Sequence, residues 1–173
     1  TDSLFLASLP LPAPVNPLND SVNTRLTALP DTIAQRLPPT FTSQHAPLFG
    51  ALLPAFGSIR KVWVPPTGPG KRIVVHVQDV HQNEAAQLHI SNVVNSLLEV
   101  HSIGLIALEG AFSPIDVSVY HDLEYRDVVS LAADCLLREN LITGPVHAAM
   151  TTPATLPPIT GIDDPLHYHA NVD

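Results

Sequence analysis

The sequence predicts an α/β fold: a parallel sheet of βαβ units, incomplete in itself, preceded by an extended Pro-rich N-terminal arm. Two observations carry the sheet. The short β-branched run Ile73-Val74-Val75-His76-Val77 is of the kind buried on both faces of a parallel sheet, and it precedes a stretch of helical periodicity. Gly104–Leu108 and Pro158–Ile162 repeat the short apolar run, with a second helical stretch between them. The third observation carries the arm: eighteen prolines against eight glycines, crowded into residues 10–69 and 145–165, leave a regular centre between two Pro-rich parts.

Taken in order, residues 1–57 alternate prolines with short apolar pieces and read as the arm, broken by one short helix near Ser21–Arg36. Residues 58–173 read as the α/β domain, the N-terminal half of a larger one. Ser58–Val64 alternates apolar and polar residues as a strand does, and a turn-rich PPTGPGK separates it from Arg72–Val77, so the two are expected to run antiparallel. Asn83–His101 places Ala86, Ile90, Val93, Val94, Leu97 and Leu98 at three-to-four spacing, the pattern of an amphipathic helix. Tyr125–Glu139, with Val128, Val129, Leu131, Ala132, Leu136 and Leu137, predicts a second helix.

The sequence stops at GIDDPLHYHANVD, where a further helix is expected to begin, so the chain reads as a fragment, a processed chain or one piece of a larger protein. The arm holds too many leucines, phenylalanines and valines for a solvated linker. It is expected to pack on its own domain or on a partner, which would be a second polypeptide or the remainder of the same precursor.

A formal charge of −8 with only eight Lys and Arg leaves no basic surface for a phosphate backbone, which excludes nucleic acid as the partner and disfavours anionic membranes. No run of about eighteen apolar residues exists, so no membrane span is expected. The opening TDSLFLASLPLPAP lacks a basic n-region and is not an intact signal peptide; read as the mature end left by cleavage of one, it favours an extracytoplasmic (periplasmic or secreted) location. Cys135, within LAADCLL, reads as a buried, inert thiol.

Ligands of open parallel sheets bind outside the carboxyl ends of the strands, where loops and helix N-termini expose backbone donors. Here the first run ends in Gln78-Asp79-Val80-His81, the second in Glu109-Gly110, and the third in Gly161-Ile162-Asp163-Asp164, followed by His167, Tyr168 and His169. Each has a plain structural reading: Asp79 or Asn83 as a helix cap, Gly110 as a tight turn, Asp163 or Asp164 as the start of a helix before Pro165. Acids gathered at three consecutive strand ends repel unless a metal, proton or cation compensates, so together they point to a site. His167 and His169, two apart, share a face of a strand but not of a helix. His76 reads as a core or supporting residue, and His45, His121 and His147 have no constellation around them.

Over VQDVHQNEAAQLHISNVVNSLL and IGLIALEGA, the chain resembles the Tiki/ChaN/erythromycin-esterase-like superfamily. In that superfamily the first strand ends in Gly-Glu-x-His or Gly-Glu-x-x-His and the second in Glu. Gln78-Asp79-Val80-His81 takes the place of the first motif, with Gln78 for Gly and Asp79 for Glu, and Glu109 takes the second. The resemblance spans about residues 72–164, and Gln87 with the downstream GIDD is closest to the ChaN-like haem-uptake branch. It implies further strands after GIDD and a second pair of site residues.

Three functions are expected from these readings. One is a binder of a divalent metal ion or haem, with His81, Glu109, Asp79 and Asp163 around a metal, or His167, His169 and Tyr168 toward haem. The second is an ester or peptide hydrolase in which His81 is general base and Glu109 and Asp79 orient it or hold the metal. The third is a non-catalytic subunit assembling through the arm.

Overall fold

A computed structural model describes residues 2–7, 29–66, 68, 72–78, 80–100 and 103–172, and it mixes helices and strands as an α/β protein does. The chain divides into two compact units, residues 1–93 and 94–173.

In the first unit, strand β1 (Asp2–Ala7) lies between β2 (Ser58–Trp63) and β3 (Ile73–Val77). It pairs antiparallel with β2, Ser3 opposite Trp63, and parallel with β3, Leu4 opposite Val75. The second and third strands therefore run in opposite directions, as expected, with a strand from the chain's first residues between them.

The arm is also corrected over residues 29–57, which are helical and not extended. Helices α1 (Asp31–Ala34), α2 (Pro39–Gln44) and α3 (Ala46–Ala51) follow one another, burying Phe41, Leu48, Phe49 and Leu52. Phe41 and Phe49 meet edge to face at 6.4 Å. Two of the prolines that suggested extended chain stand at helix starts: Pro39 opens α2 and Pro47 lies in the first turn of α3, positions where a missing N–H costs nothing. The part of the expected Ser21–Arg36 helix before residue 29 lies outside the described residues.

Helix α4 (Glu84–Val100) follows the expected register, burying Ala86, Ile90, Val93 and Leu97 at three-to-four spacing. The Asn83 side chain accepts the Ala86 N–H at 2.9 Å and so starts the helix.

The second unit holds β4 (Ile106–Leu108) and β5 (Ile159–Gly161), parallel neighbours with Leu108 opposite Gly161. Between them come α5 (Ser118–His121), α6 (Arg126–Arg138) and α7 (Gly144–Thr151), and α8 (Pro165–Val172) follows β5. Leu108, Val117, Ala133, Ala149, Met150 and Ile159 form its core. β4 and β5 make a sheet of two strands, while the hydrogen-bonded neighbour of β3 is β1; the single sheet expected from the three apolar runs is thus corrected. α7 was not anticipated, because it opens on Gly144-Pro145 inside a Pro-rich stretch and is short, with small and apolar residues on most sides and little to betray its period.

Two smaller expectations are overturned. Cys135 is exposed on α6, whose buried face is Val129, Ala133 and Leu137. His76 is exposed on β3 and does not lie in a core.

Candidate functional site

The carboxyl ends of β4 and β5 are tied by a crossing of the chain. After Leu108 the backbone turns at Glu109-Gly110, where Gly110 takes φ 78°, a conformation glycine adopts without strain. Ala111 and Phe112 then pass over Gly161 so closely that a Cβ there would lie 2.1 Å from the Ala111 carbonyl carbon. Beyond the crossing, residues 113–115 run antiparallel along the other edge of β5. The Gly161 N–H donates to the Ser113 carbonyl and the Ile115 N–H to the Ile159 carbonyl, both at 2.9 Å. β5 is thereby flanked on both sides.

Asp163 holds this crossing in place. Its Oδ2 accepts the Gly110 N–H at 2.7 Å, its own N–H donates to the Ala111 carbonyl at 3.1 Å, and the neighbouring Ile162 N–H donates to the Leu108 carbonyl. Glu109 is the residue before Gly110, so its backbone adjoins the turn that Asp163 holds.

Asp164 is a helix cap. Its Oδ1 accepts the Leu166 and His167 N–H groups at 2.8 and 3.1 Å, and the His167 Nδ1 lies 3.6 Å away. Because residues 165–172 are helical, His167 and His169 fall about 200° apart around an axis of 3.6 residues per turn. The expected face-sharing of the His-x-His pair applies only to a strand, and it does not arise here. The Tyr168 ring meets Phe112 edge to face at 5.2 Å, linking α8 to the crossing loop.

In the first unit, His81 is exposed on the turn after β3, beside Gln82 at φ 57°. The amide of Gln87, buried on α4, donates to the Val80 carbonyl at 3.3 Å and fastens this turn to the helix. Asp79 lies outside the described residues. Among the described residues, no group of three or more His, Cys, Asp or Glu is arranged to hold a metal ion.

Sequence reading missed a polar network in the second unit. Arg126 on α6 donates through Nη1 to the Tyr120 carbonyl at 2.7 Å and through Nη2 to the Met150 and Thr152 carbonyls at 3.0 and 3.4 Å. The His121 Nε2 bonds the Ala149 carbonyl at 2.6 Å, so two basic side chains satisfy the C-terminal carbonyls of α7. His147, buried on α7, bonds Asp134 on α6 at 2.9 Å. No spacing rule pairs residues thirteen apart on separate helices.

Near the crossing loop, the Asp116 carboxyl is held below its ordinary range, first by the Ser118 backbone N–H at 2.9 Å and then by the Ser118 hydroxyl. No helix among the described residues is long and apolar enough to cross a membrane. Comparison with protein-family models, curated proteins and solved structures gives no match to this chain.

Proposed function

We propose that this chain binds a divalent metal ion through acids at the carboxyl ends of its strands, as a protein of the Tiki/ChaN-like type. The observation that carries the reading is the junction of Glu109-Gly110 with Asp163 across two adjacent parallel strands, the location where α/β proteins of this kind place ligands. Two carboxylates supply the hard oxygen donors that divalent cations take.

A haem-binding alternative draws on the Tyr168–Phe112 contact, which sets a phenol that can ligate iron against an aromatic ring, with His167 and His169 entering from the sequence. In the hydrolase alternative, His81 takes the proton from an attacking water.

Elemental analysis and a visible spectrum of the purified protein, read with its Glu109→Gln variant, separate the three. Stoichiometric Zn, Mn or Fe that falls in the variant at unchanged thermal unfolding supports metal binding. A Soret band on adding haemin supports the haem alternative. Ester or peptide turnover abolished by His81→Ala supports the hydrolase, and absence of all three signals rejects the proposal.

A further inference from the structure

The charge of this chain is divided unevenly. Residues 1–93 carry five acids and six Lys or Arg, a formal +1, whereas residues 94–173 carry eleven acids against Arg126 and Arg138, a formal −9. Arg126 is committed to three backbone carbonyls within the unit, and no Lys or Arg follows Arg138 in the sequence.

Within this acidic unit, apolar side chains stand exposed around the crossing loop. Ile162 is 63% and Leu166 81% exposed, and the ring pair Phe112 and Tyr168 is 41% and 42% exposed. The hydrogen bonds of Asp163 and the ring contact join these residues into one neighbourhood, interleaved with Glu109, Asp163 and Asp164. Apolar side chains set among like charges mark an interaction surface and select the sign of what docks there.

We propose that this face docks a basic, amphipathic polypeptide segment, whose apolar side chains cover Leu166, Ile162 and the Phe112–Tyr168 pair while its Lys or Arg meet the surrounding carboxylates. Charge complementarity selects this occupant: a formal −9 repels anionic lipid and nucleic acid and attracts a cationic chain. The docking does not rest on metal binding: its apolar contacts and Asp164 lie outside the proposed ligand set, and only Glu109 and Asp163 are shared.

The test is fluorescence anisotropy of a labelled Lys/Leu amphipathic peptide with the full chain, against a Glu/Leu peptide of the same pattern. The Lys/Leu peptide is expected to bind at least about tenfold more tightly, with affinity falling as salt is raised. Leu166→Ser and Phe112→Ser are expected to weaken it about fivefold or more, as loss of a buried apolar anchor does. Leu131→Ser, which alters an exposed apolar residue on α6, is expected to leave it unchanged, and metal content in Leu166→Ser should match wild type. Equal binding of the two peptides, or equal weakening by Leu131→Ser, overturns the proposal. So does sedimentation showing that the chain self-associates in a manner abolished by Leu166→Ser, which would make a second copy the occupant.

Discussion

The Asp163 carboxylate accepts the Gly110 backbone N–H at 2.7 Å across fifty-three residues of sequence, fixing the turn that carries Glu109 to the end of the neighbouring strand. Asp163→Ala removes that acceptor and is expected to cost about 1 kcal/mol, at the modest end for a charged acceptor because the bond is exposed. Asp163→Asn keeps an acceptor oxygen and should recover most of the loss. Urea unfolding of the two variants checks the order.

Gly161 is required by contact and not by backbone angle. A methyl group there would overlap the Ala111 carbonyl, which belongs to backbone and cannot swing aside. Gly161→Ala is expected to destabilise the protein by about 3 kcal/mol, the range of overpacked sites. Thermal unfolding measures it, and a change near zero would mean that the loop does not cross β5 this closely.

How much of this was legible follows from the kind of signal each element carries. The helix over 83–101 and the helix over 125–139 were found to within a residue or two; Ala86, Ile90, Val93 and Leu97 mark the buried face of the first as expected, whereas on α6 the buried face is Val129, Ala133 and Leu137, and Val128, Leu131 and Ala132 of the expected apolar set are exposed. The apolar runs Gly104–Leu108 and Pro158–Ile162 likewise contain β4 and β5. Pro39, Pro47 and Pro145 misled, since the same residue that breaks a helix interior begins one. Strand order was not readable, because nothing local in Asp2–Ala7 says that it pairs with residues near 60 and 75. At the candidate site, the capping readings of Asn83 and Asp164 and the turn reading of Gly110 describe what those residues do. The partnership of Asp163 with Gly110 needed the fold.

Arg126 is the second long-range tie. Its guanidinium reaches carbonyls from α5 and from the end of α7, a fork that Lys lacks the geometry to copy. Arg126→Lys is expected to lose about 1 kcal/mol and Arg126→Met about 3 kcal/mol, from the strength of hydrogen bonds made by charged donors. Denaturant titration of the two variants tests the sequence of effects.

Asp116 gives a pH signature. Its folded-state pKa lies below the ordinary 3.8 because Ser118 donates to the ionised carboxylate. A lowered carboxyl pKa means that the stability it contributes is fully present above the unfolded value and disappears as pH falls through the folded one. An NMR titration should place the Asp116 midpoint below 3.8, and Ser118→Ala should move it upward. A midpoint unmoved by Ser118→Ala would remove the hydroxyl as a cause and leave the backbone N–H, which alanine retains.

Isothermal titration of Zn²⁺ and Mn²⁺ into the metal-stripped full chain and its Glu109→Gln variant tests the metal-binding proposal most directly. Glu109→Gln is expected to lower affinity by at least about tenfold, since even residues behind a ligand have effects of that size, while thermal unfolding of the metal-free protein stays put. Equal affinity in wild type and variant, or no heat of binding in either, contradicts it.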